Sequence, residues 1–231
     1  MRFPTPGKET AVPYAAFKNA GFEVKFATEL GQPPVCDKKM IEGLTGKLLV
    51  RSSLAGQSFP HSPGRNRIHS FDVADRILYH GPQGAKRSAV ELYNEMVASE
   101  ECQHPLSWSE PGFTFDSFNL VLFPGGHDKG VRQVIDSPIV HRLVLEYQPQ
   151  TKKPSNKVIG AVCHGVMVLA AAKGPDGKSA IHDCVTTSLP GTFESGIFWG
   201  TRVFLGDYYK TYGAGSENVE TYVSGSLRLT E

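Results

Sequence analysis

A cysteine followed at once by a histidine and a glycine, Cys163-His164-Gly165, sits between a small and apolar run, Val158-Ile159-Gly160-Ala161-Val162, and a helix-forming run from Val166 to Ala172. No loop-forming stretch separates the two, so the sequence reads strand, abrupt turn, helix. A residue at such a turn is thrust past the end of the sheet with a strained backbone and an accessible side chain, the geometry of a nucleophile elbow. The helix start adds unpaired N–H groups and the positive end of the macrodipole, which favour an anion. The expected consequences are a lowered Cys163 pKa and donors for a developing oxyanion. A lone cysteine on a core strand reads as a small buried hydrophobe. The polar His164 and the glycine directly after it favour the nucleophile reading instead.

A second stretch has the same form. Phe118-Asn119-Leu120-Val121-Leu122-Phe123 is suited to a strand buried on both faces, and it runs into Pro124-Gly125-Gly126-His127. Paired glycines at a strand end let the backbone approach a ligand closely and aim N–H groups at it. Between the two strands, Val131 to Gln148 carries apolar residues at helical spacing (Val134, Ile135, Ile139, Leu143, Val144), with a break near Pro138. Strand, helix, strand of this kind is parallel and right-handed. Both turns then fall at the carboxyl ends of adjacent strands, where open α/β sheets place their sites. Gly125 and Gly126 are therefore expected to face Cys163.

The elements around this unit follow from the same patterns. Glu9 to Gly21 predicts a helix with Pro13 in its first turn, and Phe22 to Thr28 alternates as a strand. Residues 50–70 have neither period and read as an irregular insertion. Ala85 to Glu100 predicts a helix, Cys184 to Leu189 a short β-branched strand, and Thr192 to Phe204 a helix with an aromatic side. Tyr212 to Asn218 contains a lone GxG, which does not mark a nucleotide fold by itself.

The chain has 231 residues, 40% of them hydrophobic and 20% charged, and a net charge of +1. That length fits a single α/β domain over residues 1–231. The balanced charge excludes the basic excess of a nucleic-acid binder and points to a small-molecule substrate. Four scattered cysteines, Cys36, Cys102, Cys163 and Cys184, show no zinc-ligand spacing. They read as free thiols of a reducing compartment, with no metal and no cofactor implied. No apolar run approaches the roughly 18 residues of a membrane span, and the N-terminus lacks a signal core, so the expectation is a cytoplasmic protein without membrane contact.

Taken together, Glu9-Thr-Ala-Val-Pro13, Phe123-Pro-Gly-Gly-His127 and Ala161-Val-Cys163-His164-Gly165 resemble the ThiJ/PfpI superfamily, nearest its glyoxalase III and heat-shock chaperone branch. The resemblance implies a flavodoxin-like three-layer sandwich with a mostly parallel central sheet, related to class I glutamine amidotransferases, and a homodimer. It implies Cys163 as nucleophile, His164 as the neighbouring acid/base, Glu9 as a carboxyl hydrogen-bonded to the thiolate, and backbone N–H groups of Gly126 and His164 as the oxyanion site. Such a carboxyl in an apolar pocket should have a raised pKa and donate a proton. Position alone would make Glu9 an exposed first-turn acid. Family members carry an apolar strand just before the Glu loop. Here eight residues precede Glu9, none of them strand-like, so the first strand is expected to be missing.

The motif match implies a cofactor-free cysteine enzyme converting methylglyoxal to lactate. An isonitrile hydratase would use the same thiolate, though its relatives carry Thr where His164 stands. A cysteine amidase or peptidase needs a third acid that the sequence does not name. A stress chaperone or thiol sensor would instead oxidise Cys163 without turnover.

Overall fold

The structure is a computed structural model that describes residues 7–35 and 87–228. The irregular stretch at 50–70 and Cys36 lie outside the described residues, as do residues 1–6, on which the expectation of a missing first strand bears. Helix α1 (Gly7–Asn19) is followed by a short strand β1 (Ala27–Thr28). Then come α2 (Arg87–Ala98), α3 (Glu100–Gln103), β2 (Leu106–Ser107) and β3 (Leu120–Phe123). The crossover is α4 (Arg132–Ile135) and α5 (Pro138–Tyr147), which lead to β4 (Val158–Ala161). A single 3-10 turn at Cys163–Gly165 opens α6 (Val166–Ala171), and α7 (Gly191–Leu205) and α8 (Val219–Arg228) complete the order.

The α/β class expected from the sequence is what these residues show. β1 pairs with β2 and β3 with β4, both parallel, as two hydrogen-bonded pairs among the described residues. In the second pair Leu120 lies opposite Val158 and Phe123 opposite Ala161. The two strands thus end level, and the Pro-Gly-Gly turn and the Cys-His-Gly turn leave the pair side by side.

Hydrophobic burial holds this arrangement. Five of the six residues of α6, Val166 to Ala170, are buried, the mark of a helix enclosed on all sides. α4, α5 and α8 pack against it. Ile135, Val140, Leu143, Val144 and Tyr147 complete the core from the crossover side. Tyr147 also donates its hydroxyl to the Phe118 carbonyl at 2.7 Å, tying α5 to the segment entering β3. At the far end of α6 the Ser179 hydroxyl donates to the Leu169 carbonyl at 3.0 Å, satisfying an acceptor that the helix leaves open.

Several expected elements differ. The α1 helix starts at Gly7, so Pro13 falls inside it instead of in its first turn. Only Ala27 and Thr28 of the 22–28 stretch pair as a strand, since the chain just before β2 belongs to α3, where the His104 N–H bonds to the Glu100 carbonyl. The 131–148 helix is broken at Ser137, whose hydroxyl accepts the Val140 N–H and starts α5 afresh with Pro138 in its first turn. Residues 184–189 form no strand. Cys184 is exposed and Val185 fully so, and β-branched residues without a neighbouring strand have nothing to pair with.

The N-termini of α7 and α8 exchange caps. Val219 N–H donates to Glu194 Oε2 at 2.9 Å, and Gly191 N–H donates to Glu220 Oε2 at 2.6 Å. Each helix start, rich in unpaired N–H groups, is met by a carboxylate from the other. A side chain at Gly191 would run into Asn218, so the close approach requires glycine there.

No helix among the described residues is long and apolar enough to cross a membrane.

Candidate active site

Cys163 is the one non-glycine residue with positive φ among the described residues, at +53°. A side chain is costly in that region and persists only where the surroundings enforce it. Here Val162 N–H is bonded to the Phe123 carbonyl at 3.0 Å, and Gly165 N–H closes the turn on the Val162 carbonyl at 2.8 Å. Gly165 packs so tightly on the preceding strand that a Cβ there would overlap the Phe123 carbonyl oxygen. The elbow is therefore clamped by backbone on both sides of the cysteine.

The clamp turns Cys163 Sγ toward the next residue's ring, placing it 3.3 Å from His164 Nδ1. His164 is buried, as is Gly165 behind it. Beside the sulfur lies Glu9, from the first turn of α1. Its Oε2 is out of contact with solvent and without an aligned hydrogen-bond partner, and it sits where a Cβ on Gly125 would collide with it. The same Cβ would stand 2.5 Å from the Val162 carbonyl and 2.6 Å from Cys163 Cβ. Gly125 thus faces Cys163 across the strand pair, as expected, and only glycine fits. Gly126 takes φ +133°, and its backbone N–H acts on the sulfur together with that of His164.

The electrostatics correct one expectation. Burial, and after it a charged Glu9, push the Cys163 thiol up to about 12, against the pull of the backbone N–H groups of His164 and Gly126. The helix start does supply donors, but α6 is short and desolvation outweighs them. Burial also raises the Glu9 carboxyl to about 7, against the opposing influence of the Cys163 thiol and the Gly125 backbone. Two anions in one pocket repel, so Glu9 ionises first, near 7, and Cys163 keeps its proton to far higher pH. Burial drives His164 down to about 4 and keeps the ring neutral there.

Behind His164 lies a group that sequence reasoning missed. Glu194, 5% exposed, favours the protonated ring by its charge, and Lys210, 6% exposed, opposes it. Glu194 is a first-turn residue of α7 and Lys210 stands in a Tyr-Tyr-Lys-Thr segment. Both read from sequence as solvated surface charges, and the meeting of the α7 and α8 starts brings Glu194 inside. Next to them His127 packs its ring against Tyr208 and Tyr209, with centroids 4.7 and 4.5 Å away. The Thr211 hydroxyl donates to the His127 carbonyl at 2.9 Å, fixing the loop that carries Gly126.

Among the other thiols, Cys102 is buried and its pKa pushed up to about 11 by that burial, whereas Cys184 is exposed. Among the described residues no three His, Cys, Asp or Glu side chains converge as a metal-binding set.

The ThiJ/PfpI family-like model matches residues 6–226. An uncharacterised protein of Schizosaccharomyces pombe is 24% identical over 161 residues, which is 69% of this chain and 48% of that protein. The glutathione-independent glyoxalase hsp3101 of the same yeast is 23% identical over 189 residues, 80% of this chain and 59% of the relative. The chain thus spans about half the length of the curated relatives it matches. Among solved structures, the Rapid Encystment Protein 24 KDa of Francisella tularensis superposes with a TM-score of 0.54 at 16% identity, covering 96% of this chain and 72% of that one, a likeness of fold.

Proposed function

Since this chain belongs to the ThiJ/PfpI-like family, we propose that it is a cofactor-free cysteine enzyme acting on a small electrophilic carbonyl, with conversion of methylglyoxal to lactate as its reaction. The observation that carries this reading is the Glu9 carboxyl, raised to about 7 beside Cys163. Turning a 2-oxoaldehyde into a 2-hydroxy acid moves a proton from one carbon to its neighbour, and a general acid/base serves that best when its pKa lies near the working pH.

In this mechanism Glu9 takes the thiol proton as the sulfur adds to the aldehyde carbon. The resulting oxyanion is met by the N–H groups of Gly126 and His164 and is protonated to the hemithioacetal. Glu9 and His164 then shift the proton from C1 to C2 through an enediol, leaving a lactoyl thioester. Water hydrolyses the thioester to lactate and restores the thiol, so that one water is consumed per turnover and nothing is oxidised overall. The Glu194 charge polarises His164, the part of the third acid that an amidase would also need.

The flavodoxin-like three-layer sandwich and a homodimeric assembly belong to the same proposal on the family likeness, and a cytoplasmic location belongs to it on the sequence reading alone. The experiment is a screen of the purified protein against methylglyoxal, an alkyl isonitrile and a peptide amide, alongside Cys163→Ser. Lactate from methylglyoxal alone supports the reading. Formamide from the isonitrile, amide hydrolysis, or oxidation of Cys163 with no turnover would each replace it.

A further inference from the structure

A lysine is rarely buried without a partner, and Lys210 has one. Its Nζ donates to Glu194 Oε1 at 3.0 Å, with the two side chains 7% and 6% exposed. Glu194 Oε2 is taken by the Val219 N–H at 2.9 Å. The carboxylate is therefore held from two directions, by a cation and by the start of α8. The Lys210 ammonium also lies 5.8 Å from the Phe198 ring centroid. The cap on α8 needs the carboxylate but not the ammonium, and a buried ion pair is not stabilising by itself, because desolvating two ions offsets their attraction.

We infer that Lys210 is a positioning residue of the cysteine site: by holding Oε1 of Glu194, its buried ammonium decides how much of that carboxylate's field reaches the His164 ring. The inference rests on reading Cys163 and His164 as the reacting pair, but what it predicts can be read without any substrate.

The groups that bear on the ring come from three sides. On its own turn stands the Cys163 sulfur, 3.3 Å from Nδ1. From α7 comes Glu194, whose charge favours a protonated ring, and from the segment after α7 comes Lys210, whose charge disfavours it. Glu9, on α1, acts on the thiol. Removing the ammonium would leave the Glu194 field on His164 uncompensated. The ring would then hold a proton more readily, and the hydrogen bond between Nδ1 and the sulfur would run from ring to sulfur over a wider range of pH.

The test uses the full chain with Lys210→Met, Lys210→Gln and Lys210→Arg. The His164 ring is titrated by two-dimensional imidazole NMR, with His164→Asn assigning its signal, and thermal unfolding checks the fold. Lys210→Gln keeps a donor for Glu194 and loses only the charge, so it decides the matter should Lys210→Met not fold. The expected result is an upward move of the His164 midpoint by about one pH unit or more in Met and Gln, a tenfold gain in proton affinity, with Arg close to the parent. A folded Met or Gln variant with an unmoved midpoint would overturn the inference. So would failure of both to fold while Arg folds, which would assign Lys210 to stability alone. Because no turnover is measured, failure here is distinguishable from failure of the proposed reaction.

Discussion

Cys163 Sγ and His164 Nδ1 stand 3.3 Å apart although the residues are consecutive in the chain. Neighbours in an extended strand point to opposite faces, so the contact exists only because Cys163 adopts φ +53°. Relaxing the turn would separate the pair. Gly165 holds it, since any Cβ there would overlap the Phe123 carbonyl oxygen and stand 3.1 Å from that of Pro124. Gly165→Ala is expected to lose about 1–3 kcal/mol, the range for forcing an extra methyl into a packed site, together with the reactivity of Cys163. Denaturant titration and alkylation of Cys163 in the folded fraction check it. A variant of parent stability with an unchanged Cys163 would show that the turn does not depend on this contact.

Paired glycines suit close approach of a substrate to the backbone, and the φ of +133° at Gly126 adds a demand of its own. Any side chain is strained in that region, at about 1–3 kcal/mol. Gly126→Val should therefore lower stability as well as block the N–H that faces the sulfur. Comparing its unfolding midpoint with that of Gly21→Val, at a positive φ with no atoms within 4 Å, separates strain from the local crowding. Equal losses would mean backbone strain dominates at Gly126.

Glu9 and His164 give opposite pH dependences of stability. The Glu9 carboxyl, raised from 4.5 to about 7, contributes stability that is fully present below about 4.5 and lost as pH rises through 7. The His164 ring, lowered from 6.5 to about 4, works the other way: the unfolded chain takes up the proton first, so stability is lost as pH falls from 6.5 toward 4. Each slope is at most about 1.4 kcal/mol per pH unit. Relative to the parent, Glu9→Gln should gain stability as pH rises across 4.5–7, and His164→Asn should lose it across 4–6.5. Urea titrations at several pH values read both. Slopes of the same sign in the two variants would contradict the assignment.

The thiol should respond to Glu9 as well. A charged carboxylate raises Cys163, and glutamine removes that charge while keeping a donor. Glu9→Gln should therefore shift the pH profile of Cys163 alkylation to lower pH, even as it slows a reaction that needs Glu9 to carry protons, by about 10²–10⁴-fold if it is the general base. Peptide mapping keeps exposed Cys184 out of the measurement. An unmoved profile would separate Glu9 from the thiol.

The elbow was legible because its signals are local. An apolar strand, a cysteine, a glycine and an apolar helix in sequence leave one way for the chain to turn, and β3 and β4 end level as that pattern requires. The pairing of Gly125 with Cys163 followed from the same βαβ logic. Glu194 and Lys210 were not legible, since the burial of Glu194 depends on the meeting of two helix starts far apart in sequence, and each looks locally like a solvated charge. Residues 184–189 misled for the converse reason: β-branched residues favour a strand only where a neighbouring edge is free to pair with them. The thiol's acidity misled because helix-start donors were visible in the sequence and the depth of burial was not.

The most direct test of the central claim is the fate of ¹³C-labelled methylglyoxal incubated with the full chain in the absence of glutathione, followed by NMR for the parent and Cys163→Ser. The account predicts labelled lactate from the parent, its rate carried by Cys163 and lost in the serine variant by about 10³-fold or more, as for removal of a nucleophile that works as a unit with its base. Lactate formed at an equal rate by Cys163→Ser, or no lactate from a folded parent whose Cys163 is reduced, would contradict it.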